Sequence, residues 1–147
     1  MASYGRVSKE RLSHAHPDLQ RFANRLILVF DHTVVCSYRN EEDQEDAYRN
    51  GKSKVHWPNS RHNVTPSLAL DLAPWDSDLR VIDWGARDRF ILMAGVALQL
   101  AREMSLPIIW GGDWDNDTYM RDHAFLDFPH YQLPLDWGGT MTRTWET

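Results

Sequence analysis

Residues 83–105 constrain the fold more than any other stretch. Phe90, Ile91, Ala94, Val96, Ala97, Leu98 and Ala101 lay a broad apolar stripe along them at helical spacing, and Pro107 closes the run. A helix of that breadth needs an apolar surface to lie on, and the rest of the chain supplies one only in short pieces. Residues 33–38 are short and β-branched. Residues 67–73 alternate small or polar with apolar side chains until Pro74. Residues 108–110 run into Gly111-Gly112, and residues 130–133 follow Pro129. All four read as strands. Pro17-Asp18 opens a second helix over residues 17–31, with Leu19, Phe22, Leu26 and Val29 on one side. Glu41–Arg49 reads as a third, stopped by Asn50-Gly51, and residues 8–12 as a turn or lead-in helix. The connections are too irregular for a βαβ series. The expected class is therefore α+β, a small antiparallel sheet with flanking helices, in one domain over residues 1–147. Residues 51–66 lack periodicity and form a long loop of the kind that carries function. The tail beyond Pro134 reads as an extension laid on the surface.

Charge narrows the partners. Asp and Glu number 21 against 16 Lys and Arg, a formal net charge of −5, and the acids are spread along the chain. Phosphate binding needs a basic face, so nucleic acid is not expected as a partner. No apolar run is long enough to cross a bilayer, and MASYGRVSKE has no apolar export region, so synthesis as a cytosolic, monomeric protein is expected. Cys36 is the single cysteine, which excludes an internal disulfide and a multi-cysteine metal site. It stands among apolar residues and reads as a buried, inert thiol.

The histidines are His14, His16, His32, His56, His62, His123 and His130. His14 and His16 lie in a polar lead-in and His32 at a helix end; His56 and His123 sit in loops and are candidates to support a site. No two histidines stand four apart, so a metal site on a single helix is excluded. A site must be assembled from distant segments. His62 and Asp71 come from one, Asp127 and His130 from another. Two imidazoles and a carboxylate are a suitable three-ligand set for catalytic zinc, which keeps a fourth position for water, and the remaining carboxylate can serve as a base. On spacing alone a second account stays open: Asp71 as a capping or salt-bridged acid, and His130 as a packed ring.

The chain resembles the M15 family of zinc peptidases, which includes D-Ala-D-Ala carboxypeptidases and dipeptidases and the phage L-alanyl-D-glutamate endolysins. The resemblance is carried by Ser60-Arg61-His62, then Ala69-Leu70-Asp71, and later Asp127-Phe128-Pro129-His130. Tyr38-Arg39, Gln44 and Gly51-Lys52-Ser53 match the upstream signature, and Trp110-Gly111-Gly112-Asp113-Trp114 resembles the strand before the last motif in phage members. The match runs over about residues 33–133. It implies the compact peptidase fold of D-Ala-D-Ala peptidases and hedgehog domains. It also implies one Zn²⁺ on His62, Asp71 and His130, Asp127 as general base, and Arg39 beside the developing oxyanion; without the match, Arg39 reads equally as a surface partner of Glu41 or Asp43. Ser60 and Asp113 would orient or support. Two departures stand out. The stretch between His62 and Asp71 is two residues longer than the family pattern, with Asn63-Val64-Thr65-Pro66 in place of a glycine-bearing turn. The acid before the last histidine is Asp, as in the endolysin branch, where the dipeptidase branch has Glu. The resemblance thus implies a phage endolysin that cuts the L-Ala–D-Glu bond of peptidoglycan stem peptides. Such a protein accumulates in the host cytoplasm and reaches the wall at lysis. The alternatives are a D-Ala-D-Ala carboxypeptidase, and a non-catalytic wall-binding or virion protein on the same scaffold.

Overall fold

The computed structural model describes residues 2–137 and the backbone of Thr142–Arg143. In chain order the elements are α1 (Arg6–Leu12), α2 (Pro17–Leu26), β1 (His32–Cys36), α3 (Glu41–Arg49), a 3₁₀ turn (Arg61–Asn63) and β2 (Val64–Thr65). They continue with β3 (Ala69–Pro74), α4 (Arg87–Glu103), β4 (Ile109–Trp110), β5 (His130–Gln132) and β6 (Thr142–Arg143). Four strands form one antiparallel sheet in the order β1-β3-β5-β4, and β2 pairs with β6 in a separate ribbon. The α+β expectation holds.

Alternation along β3 divides the molecule. Leu70 and Leu72 are fully buried with α2 and α4 in the hydrophobic core, so Asp71 between them projects from the opposite face. Register carries the division across to β5, where Tyr131 pairs with Leu70 on the core side and His130 pairs with Asp71 on the other. α4 contributes Phe90, Met93, Ala94, Ala97 and Ala101, all buried at helical spacing, and α2 contributes Leu19, Phe22, Ala23 and Leu26. Truncating one such leucine to alanine costs about 2–5 kcal/mol.

β1 is an edge strand, and side chains of α1 cover it. Ser8 Oγ accepts the Val34 N–H at 3.1 Å and bonds Thr33 Oγ1 at 2.8 Å, while Arg11 donates to the Val34 carbonyl at 3.0 Å. The outward N–H and C=O of Val34, at the middle of that edge, are thus occupied from within.

Several expected boundaries move. α2 ends at Leu26, not residue 31, because residues 27–31 turn the chain into β1 and leave Leu28 and Val29 exposed. α4 starts at Arg87, not residue 83, because the Asp83 carboxylate takes the Gly85 N–H and holds a turn there. The 51–66 loop contains the 3₁₀ turn and β2. His32 is not at a helix end: it opens β1, is buried, and bonds Tyr4 and the Phe30 carbonyl. The tail expected beyond Pro134 lies in large part outside the described residues.

Candidate metal centre

Asp71 stands at the middle of the polar face of the sheet, and two imidazoles close on it. His62 Nε2 lies 3.2 Å from Asp71 Oδ1, and His130 Nδ1 lies 3.4 Å from the same oxygen. The antiparallel register puts His130 directly opposite Asp71. His62 arrives from the 3₁₀ turn, whose start is capped by Ser60 Oγ accepting the His62 N–H at 3.1 Å. The other nitrogen of each ring is engaged: His62 Nδ1 donates to the Ser37 carbonyl at 2.6 Å, and His130 Nε2 donates to Gln132 Oε1 at 2.8 Å. These bonds hold the far nitrogens protonated, so that His62 Nε2 and His130 Nδ1, which face Asp71, are the atoms that would ligate a metal ion after giving up any proton they carry. Donors of a tetrahedral zinc at about 2.0–2.1 Å stand about 3.3 Å from one another. The two separations through Asp71 Oδ1 match that spacing, and the ligand atoms that gather within 4.8 Å of one another form two groups sharing Asp71: Cys36, His62 and Asp71, and Asp71, Asp127 and His130.

Asp127 lies beside this set. Its carboxylate groups with Asp71 and His130, one ligand atom of each within 4.8 Å of the others. Burial, and after it the charge of Asp71, pushes the Asp127 carboxyl up to about 6, against the opposing pull of His130, His62 and Arg39. Asp71 goes the other way. Burial works to raise its pKa, but the facing His62 and His130 hold it well below the usual carboxylate range. For His62 burial disfavours the charged ring, yet Asp71 and then Cys36 prevail and raise it to about 10. Two carboxylates a few ångströms apart thus carry opposite tendencies, one held ionised and one able to bind a proton near neutral pH.

Arg39 does not pair with Glu41 or Asp43. It donates to Asp71 Oδ2 at 3.5 Å and to Gln44 Oε1 at 3.0 Å. Gln44 is fully buried and ties the region together: its oxygen also accepts from Asn63, and its amide donates to Ser53 and to the Val55 carbonyl. Cys36 differs from its expectation. A bulge in β1, where Val34 pairs with Leu72 and Cys36 with Asp71, brings the half-buried thiol 3.8 Å from His62 Nδ1. That nitrogen also meets the Ser37 carbonyl, and the thiol lies close enough to group with His62 and Asp71, one ligand atom of each within 4.8 Å of the others. His56 and His123 do not support the centre. His56 bonds Glu45 and stacks on Tyr48, and His123 sits among Asp113, Asp115 and Asp122. Asp113 accepts the N–H groups of Asp117 and Thr118 and orders that loop.

The profile of the phage L-alanyl-D-glutamate peptidase family matches residues 2–134. The chain belongs to that family. It is a peptidase, of the hydrolase class. Among solved structures, the Serratia marcescens L-Ala D-Glu endopeptidase ChiX is similar, with a TM-score of 0.69 and 26% identity over 90% of this chain and 91% of that chain. No curated protein sequence matches the chain. The matched span contains His62, Asp71, Asp127 and His130. The sequence motifs do not include every residue that orients them. Gln132 is two positions after His130 and so on the same strand face, a signal present in the sequence. The Ser37 carbonyl left no such signal, because any residue type supplies one.

Proposed function

We propose that this peptidase is a zinc-dependent phage endolysin that hydrolyses the L-Ala–D-Glu bond of peptidoglycan stems. The observation that carries this is the convergence of His62 Nε2 and His130 Nδ1 on one oxygen of Asp71, with Asp127 alongside. Zinc held by His62, Asp71 and His130 would polarise the scissile carbonyl and make water a competent nucleophile near neutral pH. Asp127 takes the proton of the attacking water and then delivers it to the departing amine nitrogen, a double role suited to a half-buried carboxyl beside the ligand set. Arg39 spends donors on Gln44 and Asp71 and also lines the cleft, where its positive charge favours the developing oxyanion. Gln132 and Ser37 keep the two imidazoles in the ligating tautomers. The protein accumulates in the host cytoplasm and meets its substrate once the inner membrane is opened.

Purified sacculi are the test substrate. The parental chain should bind about one zinc and generate new L-alanine carboxyl ends without releasing D-alanine. Asp127→Asn should keep the zinc and lose about 10²–10⁴ in turnover. His62→Ala should lose zinc and turnover together. Release of D-alanine would mark a carboxypeptidase, and a parental rate in Asp127→Asn would overturn the base assignment.

A further inference from the structure

The cleft at the metal centre has two arms, and their linings differ in charge. Arg39, Lys52, Phe125 and Asp127 are common to both. One arm adds Lys54 and Arg61, and Asp127 is the only carboxylate among its lining residues. The other adds Asp43 and Asp46 with apolar Val35, Ala47, Trp84 and Pro129. In a chain of net charge −5, a wall carrying four cations against one carboxylate is a local reversal of sign. Lys52 and Lys54 are exposed and make no ion pair among the described residues, and the Lys54 ammonium lies 5.4 Å over the Phe125 ring. Two solvated ammonium groups beside the reacting centre present a site for an anion.

This inference rests on the proposed peptidase function. In an L-Ala–D-Glu stem the glutamate supplies the leaving amine. It joins the next residue through its γ-carboxyl, so its α-carboxylate is free, one carbon from the scissile nitrogen. We propose that Lys52 and Lys54 form a subsite for that α-carboxylate. The leaving D-Glu side of the stem then lies in the basic arm and the L-Ala side in the arm lined by Ala47 and Trp84. Lys52 stands where the arms meet, so the orientation is set by Lys54 in one arm and by Asp43 and Asp46 in the other, which would face the carboxylate with like charge. Positioning by charge is thus confined to the half of the substrate that carries charge.

The test uses two soluble stem peptides that differ only in having the D-Glu α-carboxyl free or amidated. The zinc-loaded parental chain should favour the free acid by about tenfold in kcat/KM, the scale of two partly exposed ion pairs. That ratio should shrink as ionic strength rises. Lys52→Met with Lys54→Met should bring the ratio close to one, and Lys54→Glu should favour the amide. A parental ratio of one, or a tenfold ratio that survives in the double variant, overturns the subsite while leaving the peptidase function standing. Failure of the zinc-loaded parental chain to cut either stem overturns the function, and the subsite with it.

Discussion

Gly111 is the place where one methyl group should separate catalysis from metal binding. Its N–H donates to the His130 carbonyl and its carbonyl accepts the Asp127 N–H, both at 2.7 Å, so a single residue clips the two ends of the Asp127–His130 turn to the end of β4. Its backbone is not in the left-handed region; what glycine supplies is room. A Cβ there would meet the Asp127 carbonyl oxygen at 2.1 Å and both the Asp127 carbonyl carbon and Cβ at 3.0 Å. Ordinary contact therefore requires the Asp127 backbone to retreat by about 1 Å, and a misplacement of that size costs about 10²-fold in rate. Gly111→Ala should lower kcat by about two orders of magnitude with little change in KM and with zinc content retained. Overpacking of about 1–3 kcal/mol should lower the melting temperature by several degrees. Gly95→Ala is the control: nothing lies within 4 Å of its added Cβ, and in the middle of α4 it should stabilise by about 0.5–1 kcal/mol. Stopped-flow turnover on a stem peptide, zinc analysis and a thermal melt decide the matter. A parental kcat in Gly111→Ala, or zinc lost in step with turnover, would refute the reasoning.

Gln132→Ala should weaken zinc affinity by about 10–100-fold, because His130 loses the acceptor that fixes its tautomer; competition with a chromophoric chelator measures it, and unchanged affinity would remove Gln132 from the support of the centre. His32 should make the fold acid-sensitive. Burial, opposed by its bond to the Phe30 carbonyl, lowers its pKa from 6.5 to about 4, so the unfolded chain takes up a proton first as pH falls. Its contribution is fully present above pH 6.5 and declines by about 1.4 kcal/mol per unit until about pH 4, roughly 3 kcal/mol in all. Urea midpoints between those pH values should therefore fall more steeply for the parental chain than for His32→Gln, and parallel curves would reject the assignment. Chelation with EDTA should abolish turnover and lower the melting temperature, since a ligand bound only by the folded chain stabilises it.

What could be read from the residues was what depends on local period. Alternation in β3 turns Asp71 away from Leu70 and Leu72, alternation in β5 turns His130 away from Tyr131, and the helical stripe of α4 marks its buried face. What could not be read depends on register and on distant partners. The single extra residue in β1 places Cys36 beside His62, and no pattern in residues 32–36 announces it. His32 looks like a helix-end cation until Tyr4, far off in sequence, is packed against it. Residues 27–31 continue the apolar period of α2, and only the need to enter β1 ends the helix sooner. Net charge hid the basic arm of the cleft, because a sum over 147 residues carries no information on where Lys52 and Lys54 point.

The stretch between His62 and Asp71, expected to be longer than the family pattern, is held independently of the two side chains at its ends. Both ends of the stretch are fastened to one carbonyl. Ser37 O accepts from His62 Nδ1 at 2.6 Å and from Ser67 Oγ at 2.7 Å, and the Ser67 hydroxyl also lies 2.8 Å from the Ala69 carbonyl at the start of β3. Between these ends, Asn63 is buried against Gln44 and the Arg39 carbonyl, Val64 enters the core, and Val64–Thr65 pairs with the backbone of β6. The extra chain therefore acquires hydrogen bonds and apolar contact of its own and exerts no leverage on the imidazole or the carboxylate. Loop length is cheap in entropy when the anchors are independent of the loop. Here the anchors are a strand-end carbonyl and a central strand, and the His62–Asp71 separation of 3.2 Å is decided by them.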